Sequence, residues 1–214
     1  MNIVTISREF GSGGRELGKR LAEYLDIYYF DREIVTQVAK NANMDVNYVE
    51  DFFNKGIAKN FPITIGGTFN FAFGTQNDTI KLFKEQQEIV KKLAGQGDCV
   101  VVGRNADVIL EDEKPFKIFV YSSLESKMDR CRNRAPEGEE LTDKELRKKI
   151  KQMDKSRAEY HDIISDISWG DKSAYNLCIN TDDIEIKEII PYVGEMAKAW
   201  FRKNREKAAV SEEA

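Results

Sequence analysis

The chain has 214 residues, a formal net charge of −4, and 41% hydrophobic and 33% charged residues, the balance of a globular chain long enough to bury a core in one domain. No stretch approaches the roughly 18 uncharged apolar residues of a membrane span, and MNIVTISREF lacks the basic and apolar regions of a secretory leader, so a cytoplasmic location is expected, with no membrane partner. The acidic balance gives no reason to expect nucleic acid, and three scattered cysteines (Cys99, Cys131, Cys178) with one histidine (His161) exclude disulfide frameworks and His-cluster metal sites.

Short β-rich runs alternate with amphipathic stretches. Ile3 to Ile6 is a predicted buried strand, and Leu17, Leu21, Ala22 and Leu25 mark one face of the helix that follows. Ile27 to Phe30 is a second strand, with a helix from about Asp31 to Asn41. Residues 61–74 (FPITIGGTFNFAFG) break the rhythm around Gly66 and Gly67, which predicts a hairpin or flap. A helix is expected near 78–95, strands at Cys99 to Val102 and Phe116 to Tyr121, and a helix at 123–134. The loop at 134–143 contains Pro136 and Gly138, so a hinge is expected before helices at 143–166 and, after a weaker strand at Leu177 to Asn180, at 184–203. Alternating buried strands and helices predict an α/β fold, a parallel five-stranded sheet with helices on both faces. Residues 1–203 form its single domain, and the charged stretch 204–214 is expected to fray.

The first strand runs into Ser7-Arg8-Glu9-Phe10-Gly11-Ser12-Gly13-Gly14-Arg15, with a helix starting near Glu16. Glycines at 11, 13 and 14 allow inward-pointing N–H groups, a helix N-terminus adds free donors and partial positive charge, and Arg15 offers a forked donor suited to phosphate oxygens. The plain alternative is a glycine-rich turn that binds nothing. Two motifs compete for the loop. A dinucleotide fingerprint finds Gly11, Gly13 and Asp31 as the acidic ribose partner, but Glu16 stands at its third glycine. A Walker A loop aligns its last glycine with Gly14 and its lysine with Arg15, but lacks the first glycine at Glu9 and a hydroxyl at Glu16 or Leu17.

Taken in order, TISREFGSGGRELGKRLAEYL, YYFDREI, VVVGRNADVIL, KIFVYSSLESKMDRCRNR and KIKQMDKSRAEYH resemble the cytidylate kinase-like family of P-loop proteins, relatives of the bacterial cytidylate kinases, over about residues 2–182. The resemblance implies a three-layer P-loop NTPase-like kinase domain with a nucleotide-phosphate loop at Gly11, Ser12, Gly13, Gly14 and Arg15, and a helical lid over 130–143. It places Asp31, Arg32, Arg104, Asp154 and Arg157 on the acceptor side, and Arg130, Arg132 and Arg134 at the transferred phosphoryl group together with Arg15. It implies ATP or GTP as donor with Mg²⁺ as cofactor, for which Ser12 and Asn105, with Asp107, are the candidate ligands, and a nucleoside monophosphate such as CMP as acceptor. Two departures from the family pattern are Val102 in place of an acid before Gly103-Arg104, and the missing Walker lysine and hydroxyl.

Each signal also has an ordinary explanation. The arginines at 130, 132 and 134 can be a solvated helix C-terminus, Asp154 and Arg157 a surface ion pair three residues apart, and His161 a partly exposed structural histidine. Phe69, Phe71 and Phe73 share a face if extended, as core or as a base-stacking flap. Three functions stay open: a nucleotide-dependent small-molecule kinase, a non-catalytic nucleotide or phosphometabolite sensor on the same fold, and an NAD(P)-dependent oxidoreductase.

Overall fold

The structure, a computed structural model, describes residues 1–55, 76–135 and 141–212. The expected flap at 61–74, its phenylalanines, and the hinge residues Pro136 and Gly138 lie outside the described residues.

In chain order the elements are β1 (Ile3–Arg8), α1 (Gly14–Leu25), β2 (Tyr28–Phe30), α2 (Arg32–Ala42), α3 (Val46–Lys55), α4 (Gln76–Ala94), β3 (Cys99–Val102), α5 (Ala106–Ile109), β4 (Phe116–Tyr121), α6 (Leu124–Asn133), α7 (Asp143–His161), β5 (Leu177–Asn180) and α8 (Ile186–Glu212), with short 3-10 turns at Glu111–Glu113 and Lys172–Ala174. The strands form one five-stranded sheet in the order β2-β3-β1-β4-β5. Every pairing is parallel, and β1, the strand that feeds the glycine loop, lies at the centre.

Strand alternation divides the core even where every residue is apolar. Val100 and Val102 pack with Leu17, Leu21 and the Ile186, Ile190 and Val193 stripe of α8 on one face. Cys99 and Val101 pack with Ile34, Val38, Leu82 and Ile89 from α2 and α4 on the other. A third, smaller cluster of Met128, Leu146 and Ile150 joins α6 to α7, with Phe10 of the loop packed against it. Helix α7 begins with a reciprocal cap, Thr142 and Glu145 each bonding the other's backbone N–H.

Two elements differ from the sequence pattern. Helix α3 occupies a stretch where no element is predicted; its Val49 and Phe53 are buried against the α2 and α4 face. The C-terminal helix continues to Glu212 instead of fraying after residue 203. Its later turns have something to hold: the Trp200 indole and Asn204 amide both donate to the Lys114 carbonyl, and Arg205 donates to Asn2. Lys and Ala are also strong helix formers.

Gly18 sets how closely α1 approaches the sheet. A Cβ there would lie 2.6 Å from Val102 Cγ2 and 3.1 Å from Ile6 Cδ1, and both partners are β-branched strand residues with little freedom at χ1. In an exposed helix, Gly to Ala stabilises by about 1 kcal/mol. Here the sign reverses: Gly18→Ala is expected to destabilise the fold by about 1–3 kcal/mol, measured as a lower midpoint in chemical denaturation, and a raised midpoint would show that α1 has room to lift.

Candidate functional site

The loop between β1 and α1 is closed by its own backbone. Glu9 N–H bonds the Val120 carbonyl at 2.9 Å, and Ser12 N–H reaches back to the Glu9 carbonyl at 3.4 Å. Gly13 is the N-cap of α1, with φ 85°, a left-handed conformation that only glycine adopts freely. It offers no side chain to the helix start, so the first-turn N–H groups remain available to a ligand. Ser12 is fully buried. Its hydroxyl donates to the Glu9 carbonyl at 2.9 Å, and the Thr181 hydroxyl donates to the Ser12 carbonyl at 2.8 Å, so this side chain braces the turn.

Beside the loop, several guanidinium groups gather around buried Asp31. Arg15 Nε stands 2.5 Å from Asp31 Oδ2, with its side chain half-exposed. Arg8 approaches Asp31 Oδ1 at 3.8 Å and is largely buried. Arg157 donates from Nη1 to the Arg8 carbonyl at 2.7 Å and lies 5.7 Å from the Phe10 ring centre. Arg104 sits over Phe53 at 5.1 Å. Burial pulls Arg8 well below the usual arginine range, with Arg157 and Arg104 adding repulsion that Asp31 offsets in part. Burial also lowers Arg104, and takes Arg157 down to about 10. All stay charged at neutral pH. Among the described residues, Asp31 Oδ1 and Arg104 Nε have no hydrogen-bond partner. Positive charge partly withdrawn from water is an environment that an anion stabilises.

Two cavities meet at this cluster. The larger, of about 510 Å³, opens over the glycine loop; Arg15, Arg130, Arg132 and Arg134 line it along with apolar Phe10 and Leu146. The smaller, of about 50 Å³, is formed by Phe53, Arg104, Asn105, Tyr160 and Trp169. Arg8 and Arg157 line both.

The arginines of the expected lid reach the large cavity, each with a protein partner. Arg130 donates to Ser122 Oγ at 3.2 Å, to the Gly11 carbonyl at 3.5 Å, and to the Thr181 carbonyl. Arg132 spans Asp129 and Asp143 at 3.2 and 2.5 Å. Arg134 bonds Glu16 of α1, which closes the rim. Of the expected acceptor residues, Arg104 and Arg157 lie in the cluster, and Asp31 is its counter-charge. Arg32 is exposed, its side chain 3.7 Å from Glu50. Asp154 accepts from the Phe10 N–H at 2.6 Å and from Lys127 Nζ at 3.1 Å, which anchors the loop to α7. It is not simply the surface partner of Arg157, and burial raises its carboxyl despite those bonds.

His161 is also not partly exposed: it is 1% accessible and lies 3.5 Å from buried Asp107. The ring faces inward because α7 ends there, against the body of the domain. The proposed metal ligands do not converge. Ser12 braces the loop, the Asn105 amide donates to the Tyr160 carbonyl at 3.1 Å, and Asp107 faces His161. Among the described residues no group of three or more His, Cys, Asp or Glu side chains could hold a metal ion. These side chains do not fit a preassembled Mg²⁺ site.

Arg8 and Phe10 lie in the stretch read as the phosphate loop, without a role of their own there, and Lys127 lies outside every motif. Arg8 carries one signal, a charge at the end of an otherwise uncharged strand. Lys127 carried none: it is one lysine among many charges, yet it is buried, with Nζ 2.9 Å from Glu9 and 3.1 Å from Asp154. The dinucleotide alternative loses its ribose partner, because Asp31 is engaged by Arg15, and Glu16 at the third fingerprint position is tied to Arg20 and Arg134.

The fold recurs among solved structures. An uncharacterised protein from Eubacterium ventriosum is 24% identical with a TM-score of 0.66, over 92% of this chain and 99% of that one. Shikimate kinase from Bacteroides thetaiotaomicron is 16% identical with a TM-score of 0.55, over 92% and 98%. Shikimate kinase from Acinetobacter baumannii, in complex with shikimate, is 11% identical with a TM-score of 0.51, over 93% and 94%. At these identities the likeness is one of fold, that of the P-loop kinases. No curated protein matches the chain. The profile of the cytidylate kinase-like family, however, matches residues 3–183, from the first strand through the whole sheet and both cavities, and the chain belongs to that family.

Proposed function

We propose that this protein transfers the γ-phosphoryl group of a nucleoside triphosphate, ATP or GTP, to a phosphorylated small molecule, with cytidine monophosphate the first acceptor to test. The observation that carries this is the shared wall of Arg8 and Arg157 between a large cavity over the glycine loop and a small one beside Arg104. A donor lying on the loop and an acceptor held at Arg104 would bring their phosphates together at the same two guanidiniums. An acceptor phosphate oxygen forms a bond to Pγ while the bond from Pγ to the β–γ bridging oxygen breaks. A triphosphate and a monophosphate thus become two diphosphates, with no redox change. Such transfer depends mainly on positioning and on neutralising spread-out negative charge, which arginines supply. Closing Arg130, Arg132 and Arg134 over the large cavity would exclude competing water.

The described side chains assemble no Mg²⁺ site, so Mg²⁺ would enter on the donor's phosphates, as this ion commonly does. Among the described residues no helix is long and apolar enough to cross a membrane. A second function on the same fold, a nucleotide or phosphometabolite sensor, draws support from Ser12, whose hydroxyl is turned into the loop.

An ADP-release assay across a panel of monophosphates separates the two. Acceptor-stimulated turnover is expected, with CMP among the best; nucleotide that raises the melting temperature while no acceptor stimulates turnover would establish the sensor instead. Arg15→Ala is expected to weaken ATP binding by about 1.5–3 kcal/mol, the range for a charge-assisted hydrogen bond, in a calorimetric titration; unchanged affinity removes Arg15 from the donor site. Arg104→Met is expected to raise the acceptor KM by about tenfold or more while leaving the ATP dissociation constant unchanged, and the reverse pattern would move Arg104 to the donor side.

A further inference from the structure

The puzzle left by the loop is its missing lysine. If Gly13, the left-handed residue that caps α1, is the last glycine of a G-x-x-x-x-G-K-[ST] loop, position 14 is where the lysine belongs and position 8 is the first glycine. This chain carries glycine at 14 and arginine at 8. The two positions touch. A Cβ on Gly14 would lie 2.5 Å from Arg8 Cβ and 3.0 Å from Arg8 Cγ. There is space for one side-chain stem at that point, and Arg8 fills it.

From there the Arg8 side chain crosses the mouth of the loop to the end of β3. Its Nη1 occupies the space over Gly103, where a Cβ would come within 1.6 Å. That course takes it along both cavities. Asp31 does not account for it: the carboxylate already has Arg15 at 2.5 Å, Arg8 stays 3.8 Å away, and Asp31 Oδ1 has no hydrogen-bond partner among the described residues. The Arg8 backbone is fixed, paired with Val120 in the sheet and bonded by Arg157 through its carbonyl.

We propose that Arg8 is the phosphate-binding cation of this loop, delivered from the strand side in place of the lysine that a Walker loop delivers from the helix side, with Gly14 as its reciprocal vacancy. The ligand is a nucleoside triphosphate, whose terminal phosphates the guanidinium bridges. Arg15 then stands where the loop ordinarily has its hydroxyl, which explains why it turns out to Asp31. This assignment rests on the phosphotransferase function proposed above.

The test is a set of variants assayed with ATP and Mg²⁺, plus whichever monophosphate sustains wild-type turnover. Arg8→Met keeps the buried stem and removes the charge; it is expected to leave the melting temperature near wild type, raise the ATP dissociation constant about tenfold or more, and lower kcat by about 10²-fold or more. Gly14→Lys alone is expected to lower the melting temperature, because its stem meets Arg8, and the loss should vanish in the Arg8→Gly background, a coupling read in a double-mutant cycle without any substrate. The double variant Arg8→Gly/Gly14→Lys is expected to recover about tenfold or more of the affinity lost in Arg8→Gly. Arg8→Met with wild-type ATP affinity and turnover overturns the assignment, as does a folded double variant that binds no better than Arg8→Gly. Wild-type protein that binds no ATP takes down the kinase proposal and this assignment together, whereas wild-type binding with unaffected Arg8→Met takes down this assignment alone.

Discussion

The charge cluster around Asp31 governs the rest of the structure. Arg8, Arg104 and Arg157 are half-buried, and with Arg15 they gather around buried Asp31, while Asp154 also acts on Arg157 and Glu50 on Arg104. Two like charges about 4 Å apart repel by roughly 4 kcal/mol at an effective dielectric of 20, so such a cluster persists only where other interactions hold each stem. Here Phe10 and Phe53 cover two of the guanidiniums, and the Arg8 main chain is locked into the central strand. An arriving phosphate would relieve the repulsion without requiring the arginines to move. The cost of assembling the positive charge is met by folding, before the ligand arrives, which is what preorganisation means in electrostatic terms.

The loop itself is tied to its surroundings on two sides. On one, Lys127 of α6 bonds Glu9 while Asp154 of α7 holds both Lys127 and the Phe10 N–H. Burial opposes the Lys127 charge, but its bonds to Glu9 and Asp154 outweigh that and raise its pKa. On the other side, the segment after β5 takes part. Thr181 bonds the Ser12 carbonyl and accepts from Arg130, and Asp182 accepts from the Ser122 hydroxyl and Ser123 N–H. The α6–α7 pair, the glycine loop and the ends of β4 and β5 therefore form one connected polar unit. Any movement of the arginines on α6 is referred directly to the loop beneath them.

Much of the fold was legible in the chain because it depends on local pattern. Five apolar or β-branched runs separated by helix-length amphipathic stretches leave few arrangements other than a parallel sheet covered on both faces. The helix over 46–55 has no local signature because its burial rests on two residues, Val49 and Phe53, whose partners lie in α2, α4 and α7. The contacts of the C-terminal turns are of the same kind: Asn204 and Arg205 read as a solvated tail until Lys114 and Asn2 are brought beside them by the sheet.

What the sequence determined alone was the glycine-rich turn: glycines that permit a left-handed N-cap at Gly13, a helix start directly after it, and arginines on either side. It also carried the family's order of blocks. Only the tertiary structure decided which charges share a site. Arg8, Asp31, Arg104 and Arg157 are separated by up to 149 residues in the chain, and meet because parallel strands all end on the same edge of the sheet. By the same geometry Arg32 faces Glu50, Asp154 serves the loop, and Ser12 turns inward. Residue type fixes what a side chain can bind; the crossing of distant elements fixes which partner is within reach, and no local pattern encodes that distance.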